Sequence, residues 1–312
     1  MLNNLFKYMV LLGIVAVPIT ACAETDVTAT VGMTPTPEVM REEIDGELDG
    51  EKPGYQAAPT ATLESDTILT PAIEQEDEEF EASESIGFYI RGYNYISRAE
   101  YVDAERTFTT VIELEPNFAR GWDGRGQTLM LQGKYEEAML DFDRAIELKP
   151  NLTDAYANRA LTRLALNDYE GAARDAKRAI ELDDQSVGAQ LVLGRVYAKN
   201  GDSEKALKWF NEAIVTEPED GATWWWRGRF YRDVVIAGGA ALSDFNKAIE
   251  LAPAQASIYI DRALLYMQAD VDPDLAKIDL EEAISLAQDP KLPKIIKHAE
   301  ELLAILDERQ SR

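Results

Sequence analysis

The chain repeats itself with a period of about 34 residues from residue 85 onward, and this period constrains its fold more than any other feature. The marker of the repeat is the tetrapeptide Ala-Ile-Glu-Leu or a close variant, and its Ile residues are spaced by 34, 34, 34, 35 and 35 positions. A fixed period of this length is typical of arrays in which each unit is one supersecondary element. The marker residues are Ile112, Ile146, Ile180, Ile214, Ile249 and Ile284.

Each repeat contains two apolar stripes with helical spacing, separated by a turn. In residues 119–152, Trp122 and Leu129 belong to the first stripe, Gly133 breaks it, and Ala138 and Phe142 belong to the second. Apolar residues at spacings of three and four predict helices, and Gly predicts the break between them. Proline ends four of the repeats, at Pro116, Pro150, Pro218 and Pro253. The sequence therefore predicts successive pairs of short helices.

The positions of large and small residues within each repeat resemble the tetratricopeptide repeat. The pattern places Trp or Tyr fourth, Gly or Ala eighth, Tyr or Leu eleventh, Ala twentieth, Phe twenty-fourth, Ala twenty-seventh and Pro thirty-second. The resemblance implies an all-α, right-handed solenoid whose first helices line a concave groove. The departures from the pattern are Arg163, Ala176, Gln190 and Leu280. The six predicted helix-turn-helix repeats are 85–118, 119–152, 153–186, 187–220, 221–255 and 256–289.

The two ends of the chain differ from the repeats. Residues 290–312 show one apolar helical face, as expected of the capping helix that a repeat array needs at its end. Residues 22–84 form an acidic segment rich in Pro and Thr, with 18 acidic residues against Arg41 and Lys52. Such a segment buries too little apolar surface to fold, so we expect a disordered tether. The net charge of −26 also disfavours nucleic acid as a partner.

Residues 1–21 have the features of an export signal. Tyr8 to Ala21 are an apolar run of 14 residues, which is short for a membrane span and suits a signal-peptide core. The following Ile19-Thr20-Ala21-Cys22 resembles the lipobox of bacterial lipoproteins. This resemblance implies lipidation of Cys22 and a chain anchored to the cell membrane on its extracytoplasmic side. The alternative is ordinary cleavage after Ala23.

Comparison of the repeats predicts a set of structural ion pairs between the two helices of a unit. Arg stands at the seventh place wherever Asp stands at the twenty-third, while Leu193 is matched by apolar Trp209 and Arg91 by Thr107. This pattern favours a structural role for the Arg residues over an anion-binding ladder. The predicted pairs are Arg125 with Asp141, Arg159 with Asp175, Arg227 with Asp244 and Arg262 with Asp279.

The groove-facing places of the first helices carry aromatic and cationic residues where a solvated wall would carry small polar ones. We predict a groove for a protein or extended peptide of acidic and apolar character, with aromatic anchors. The alternative is that the aromatics pack into neighbouring units and the cations merely face acidic residues. Asn158 alone matches the family's two-carboxylate clamp, so a terminal carboxylate is not predicted as the ligand. The predicted groove residues are Tyr89, Tyr93, Leu191, Arg195, Lys199, Trp225, Trp226, Arg229 and Arg232.

No constellation in the sequence predicts catalysis, a metal or a cofactor. One His and one Cys cannot form the usual tetrahedral zinc site. Asp270, Asp272 and Asp274 imitate a calcium loop, but Asp272 followed by Pro273 is better explained as a helix start. The predicted function is a membrane-tethered, non-catalytic scaffold; glycan or cell-wall binding is the alternative, and an enzyme fits least. The apolar turn from Val234 to Gly239 has no predicted role.

Overall fold

The computed structural model describes residues 84–269, 272–288 and 292–310, which are helical and contain no strand. The all-α fold class predicted from the sequence is confirmed. The predicted signal peptide, Cys22 and the acidic segment up to residue 83 lie outside the described residues. Within the described part of the chain, no helix combines the length and apolar character that crossing a membrane requires.

The described residues form two compact units, of which the first ends at Thr216 and the second begins at Glu217. The helices of the first unit are α1 (Glu84–Ser97), α2 (Tyr101–Leu114), α3 (Ala119–Leu131), α4 (Tyr135–Leu148), α5 (Thr153–Ala165), α6 (Tyr169–Leu182), α7 (Val187–Lys199) and α8 (Ser203–Thr216). Those of the second are α9 (Gly221–Phe230), α10 (Gly238–Leu251), α11 (Ala256–Ala269), α12 (Pro273–Leu286) and α13 (Pro293–Gln310).

Close approach of the two helices in a pair depends on a small residue facing a Phe. In the first unit, α1 packs on α2, α3 on α4, α5 on α6 and α7 on α8. A Cβ atom at Gly126 would lie 2.8 Å from the ring of Phe142, and one at Gly194 would lie 2.8 Å from Phe210. Both Phe side chains are buried. The eighth place is therefore small because the Phe ring of the second helix occupies that space.

The aromatic residue at the fourth place ties its helix to the turn before it. Trp122 and Trp224 donate their indole N–H groups to the carbonyl oxygens of Pro116 and Pro218, both at 2.9 Å. The hydroxyl of Tyr259 donates in the same way to the carbonyl of Pro253 at 3.0 Å. Each bond satisfies a carbonyl oxygen in the turn that precedes a first helix.

The four predicted ion pairs are confirmed. In each pair the Arg guanidinium donates two hydrogen bonds to one carboxylate across the two helices of a repeat, at 2.7 and 2.8 Å for Arg125 with Asp141. Two-point bonding fixes the register of the helices as well as neutralising the carboxylate. Arg91, whose repeat has Thr107 in place of the Asp, lies 5.2 Å from the ring of Phe88, as the paired Arg125 lies 5.0 Å from that of Trp122. The other pairs are Arg159 with Asp175, Arg227 with Asp244 and Arg262 with Asp279.

In the second unit, the last helix covers the end of the core as the sequence predicts. Ala299, Leu302 and Leu306 of α13 are buried in the same apolar cluster as α11 and α12. Helix α12 begins as expected, since Asp272 accepts hydrogen bonds from the backbone N–H groups of Asp274 and Leu275. The carboxylate that imitated a calcium ligand therefore caps a helix.

The apolar turn of the fifth repeat is built differently from the turns of the first unit. Tyr231–Val235 form one turn of π-helix, which accommodates the extra residue of this repeat. Ile236 follows in the left-handed region with φ of 57°, a conformation that Ala99, Gly133, Asn167 and Gly201 adopt in the turns of the first unit. Ile236 packs against the core of its unit, while Val234 and Val235 are each 41% exposed. Part of this turn is thus explained by internal packing.

Candidate functional site

The first helices of the first unit form a continuous row, in which α1 contacts α3, α3 contacts α5 and α5 contacts α7. We call the surface along which first helices meet the first-helix face. In one pair of neighbouring repeats within each unit, residues at the fifth and sixth places meet between the two first helices. The predicted groove residues all belong to first helices, apart from Arg232 in the π-helical turn that follows α9.

Several of the predicted groove residues are more buried than the sequence suggested. Lys199 is exposed, and Tyr93, Arg195, Trp226 and Arg229 are half-buried. The expectation of exposed side chains is wrong for the rest, because they are wedged between neighbouring helices. The buried residues are Tyr89, Leu191, Trp225 and Arg232, with 5%, 3%, 2% and 6% of their surface exposed.

Trp225 belongs to a hydrogen-bonded cluster that joins α9 to α11, which we call the Trp225 joint (Trp225, Arg229, Arg232 and Asp261). The indole N–H of Trp225 donates to Asp261 Oδ2 at 2.6 Å. Nη1 of Arg232 donates to Asp261 Oδ1 at 2.7 Å and to the backbone carbonyl of Asp261 at 2.8 Å. Arg229 Nε lies 3.6 Å from Asp261 Oδ2. One buried carboxylate thus has three partners.

The electrostatics of the Trp225 joint are balanced within the chain. Burial raises the pKa of Asp261, but the charges of Arg232 and Arg229 and the hydrogen bonds outweigh it and hold that pKa below its usual range. The Arg229 guanidinium also lies 4.8 Å from the ring centroid of Trp226 and 5.5 Å from that of Trp225. Two of the four cations predicted to meet a ligand, Arg229 and Arg232, are therefore already engaged by residues of their own unit.

A second cluster lies at the corresponding joints of the first unit, and we call it the Asp123 joint (Tyr89, Tyr93, Asp123, Gln127 and Asn158). The side-chain amide of Asn158 on α5 donates to Asp123 Oδ1 on α3 at 2.9 Å. The rings of Tyr89 and Tyr93 on α1 meet edge to face, with centroids 5.1 Å apart. Asp123 stands at the fifth place of its repeat and Asn158 at the sixth place of the next, as Trp225 and Asp261 do.

The carboxyl group of the Asp123 joint lacks the neutralising partners that Asp261 has. Burial and the nearby charge of Asp154 raise the pKa of Asp123 to about 7, against the opposing effects of the Asn158 hydrogen bond and the Arg120 charge. Burial likewise raises the pKa of Tyr89 to about 12. This site therefore holds a carboxyl group that changes charge near neutral pH.

The same cluster contains polar atoms without hydrogen-bond partners. Gln127 is fully buried, and within the described ranges neither Nε2 nor Oε1 of its side chain has a partner. Oδ1 of Asn158, which is also fully buried, has none either. Because buried polar groups are nearly always paired, these atoms need an explanation, and in the Trp225 joint Arg229 Nε is likewise buried without a hydrogen-bond partner. Asp123 itself is 5% exposed, so the cluster is not completely closed.

The sequence indicated functional places for Tyr89, Tyr93 and Asn158. It did not indicate that Asp123, Gln127 and Asp261 would belong to the two joints. One signal was present, since Asp123 is the single charged residue among the six fifth-place residues. The pairing of Asp123 with Asn158 was not visible, because it depends on which helix faces meet. In the described part of the chain, no cluster of His, Cys, Asp and Glu side chains is placed to hold a metal ion.

The chain is similar to tetratricopeptide repeat proteins in sequence and in structure. Two tetratricopeptide repeat family models match it, one at residues 158–221 and one at residues 126–166. No curated protein matches the chain. The sequence matches and the all-α helix pairs agree in assigning a tetratricopeptide-type fold, a fold that commonly mediates protein–protein interaction.

Solved structures similar to this chain share its fold at low sequence identity. A tetratricopeptide repeat protein from Parabacteroides merdae has a TM-score of 0.59 at 19% identity, covering 74% of this chain and 88% of that one. A thermophilic TPR protein from Thermus thermophilus has a TM-score of 0.55 at 21% identity, covering 60% and 99%. The APC/C hetero-tetramer Cut9-Hcn1 has a TM-score of 0.59 at 19% identity, covering 72% of this chain but only 44% of that chain.

Proposed function

We propose that this chain, with its tetratricopeptide-type fold, is a non-catalytic scaffold that binds a protein or an extended peptide along the first-helix face of its first unit. The observation that carries the proposal is the Asp123 joint, where a buried carboxyl group and unpaired amide atoms lie along a row of contacting helices. Unpaired buried polar groups lower the stability of a fold. Their presence is accounted for if a bound partner supplies the missing hydrogen bonds.

The character of the partner expected from the sequence needs revision in this proposal. An acidic and apolar peptide was expected to contact four cations, but Arg229 and Arg232 contact Asp261. Lys199 is exposed and lies 5.9 Å from the ring centroid of Tyr169. An acidic peptide would depend mainly on such an exposed charge, which contributes to association rate more than to affinity. Since Arg229 and Arg232 of the second unit are engaged within the chain, the first unit is the better candidate surface.

Site-specific photocrosslinking tests where the partner binds. A benzophenone amino acid replaces Tyr93, which is half-buried on the first-helix face, in the full chain. The matched control carries the same probe at Glu113, which is exposed on α2. We expect a specific crosslinked protein from position 93 and none from position 113 in envelopes of the producing cell. Equal crosslinking from both positions, or none from position 93, would contradict binding at this face.

The membrane anchor is a second part of the proposal, supported by the lipobox-like sequence that ends at Cys22. The acidic segment after it would hold the repeats away from the bilayer, since about 60 flexible residues span roughly 40–45 Å. We expect labelled palmitate to enter the wild-type chain, and Cys22→Ser to release it from membranes. Ala23→Ser is the control, because it leaves the acylated residue in place. A mature chain that begins at Glu24 in the soluble exported fraction would refute the anchor.

A further inference from the structure

The two joints offer an internal comparison of how a buried carboxylate is satisfied. In the Trp225 joint, Arg232 stands at the twelfth place of its repeat and Arg229 at the ninth, and both contact Asp261. In the repeat that contains Asp123, Met130 and Gln127 occupy those two places. The two arginines that contact Asp261 thus have no counterpart at those places in the repeat with Asp123, where the charge of Arg120 at the second place acts instead. Asp261 therefore has two arginine partners, whereas Asp123 has one side-chain hydrogen bond, from Asn158.

We infer that the Asp123 joint receives a cationic side chain, an arginine or a lysine, carried by the partner peptide. The inference rests on the proposed function, and it names the chemical group that the partner presents to the Asp123 joint. A guanidinium group has five N–H donors and no acceptor, and an ammonium group has three donors. The acceptors that face such a group are Asp123 and the unpaired Oδ1 of Asn158, whose amide nitrogen already bonds Asp123.

The surroundings of the carboxyl group favour a cation in two further ways. Tyr89 and Tyr93 on α1 lie close enough to Asp123 for its charge to act on both phenols, and a cation near an aromatic face gains attraction that increases when the site is desolvated. Asp154 on α5 adds negative potential at Asp123, whereas Arg120 on α3 opposes it. The charged or titratable neighbours of Asp123 are thus Asp154, Arg120, Tyr89 and Tyr93. Its hydrogen-bond donor is the uncharged amide of Asn158. The balance of these groups leaves the carboxyl group poorly neutralised.

The raised pKa of Asp123 supports the same inference and makes it measurable. A carboxyl group with a pKa of about 7 is largely protonated at pH 6 and largely ionised at pH 8. A bound cation stabilises the ionised form, so protonation competes with binding. The affinity for a cationic peptide should therefore fall by up to about tenfold from pH 8 to pH 6.

Selection from a random displayed dodecapeptide library tests the inference with the full chain as bait at pH 8. We expect enrichment of peptides containing Arg or Lys, and at least tenfold weaker binding of a selected peptide to Asp123→Asn. Glu113→Gln is the matched control, because it removes the same charge from an exposed position on α2 and should change affinity less than twofold. A thermal melt of Asp123→Asn verifies that it folds.

The possible outcomes separate the two proposals. Enrichment of neutral or acidic peptides would overturn the cationic ligand and leave peptide binding intact. Failure to enrich any peptide would overturn both. If cationic peptides bind but their affinity is equal at pH 6 and pH 8 and is unaffected by Asp123→Asn, the cation binds elsewhere on the chain and the assignment to the Asp123 joint is wrong.

Discussion

The Asp123 joint and the Trp225 joint occupy corresponding places in two pairs of neighbouring repeats, yet they treat a buried carboxyl group in opposite ways. Asp261 accepts hydrogen bonds from Trp225 and Arg232, and its pKa lies below the usual range. Asp123 accepts one from Asn158, and burial raises its pKa to about 7. Both carboxyl groups are at most 7% exposed, so burial alone does not distinguish them.

The difference shows that a repeat position has no fixed role. At the fifth place, Trp225 is a donor to the next repeat, whereas Asp123 is an acceptor from it. The residue at the sixth place of the next repeat has the opposite role, since Asp261 accepts a hydrogen bond and Asn158 donates one. A joint with arginines at the ninth and twelfth places holds the pKa of its carboxyl group low, whereas the one with Gln and Met there has a carboxyl group of raised pKa. The following predictions test this comparison.

Removal of the Trp225 side chain should have the largest effect. Trp225→Ala deletes a fully packed aromatic ring and leaves Asp261 without its indole donor, so we expect the second unit to lose about 3–5 kcal/mol of stability. Hydrogen exchange of the amides in α11 measures this loss without assuming that the two units unfold together. Trp226→Ala is the control, because Trp226 is half-buried and its loss should be smaller. A loss below about 1 kcal/mol would restore the interpretation of Trp225 as an exposed anchor.

Removal of the Arg232 charge should make the Trp225 joint resemble the Asp123 joint. Arg232→Met keeps much of the side-chain volume but leaves Asp261 buried with only Trp225 and the more distant Arg229, and we expect a loss of about 3 kcal/mol. The double variant Arg232→Met/Asp261→Asn should recover part of that loss, because the uncompensated charge is gone. No recovery would mean that the packing of Arg232, rather than its charge, stabilises the joint.

Asp123→Asn should stabilise the chain, whereas the two preceding substitutions destabilise it. The folded chain holds the proton of Asp123 up to a pKa of about 7, well above the ordinary value of 3.8, so its stability falls as pH rises from about 4 to about 7 and then levels off. The variant lacks this fall and should be more stable than wild type by about 1–3 kcal/mol at pH 8, with a smaller difference at pH 4. Hydrogen exchange in α3 and α5 at both pH values measures the change. Equal or lower stability at pH 8 would show that Asp123 is already neutralised.

The smallest effect concerns Gln127, the counterpart of Arg229 at the ninth place. Gln127→Leu replaces an amide with two unpaired atoms by an apolar side chain, and we expect a gain of about 1 kcal/mol. Gln132→Leu is a useful contrast, because Gln132 donates to Glu105 at 2.7 Å and its loss should destabilise the first unit. A loss of stability in Gln127→Leu would indicate that the side-chain amide of Gln127 has hydrogen-bond partners in the folded chain.

Much of the fold could be predicted from the sequence because the relevant interactions are local. The helix pairs follow from apolar spacing within one repeat, and the bond of Arg125 to Asp141 spans the turn between neighbouring helices. The start of α12 at Asp272 followed by Pro273 was predictable for the same reason. The exposure of the groove residues was not predictable, since Trp225 is buried by residues of the next repeat.

The sequence by itself determined the period, the helix pairs, the capping helix and the four ion pairs within repeats, because each depends on residues that are close along the chain or recur at fixed places. Only the tertiary structure decided which first-helix residues are buried and which carboxyl groups are neutralised. Asp123 and Asn158 are 35 positions apart, and Trp225 and Asp261 are 36 apart. Contacts at that separation depend on how neighbouring helices pack, and a difference of one side chain at the joint changes the charge balance of a desolvated carboxyl group.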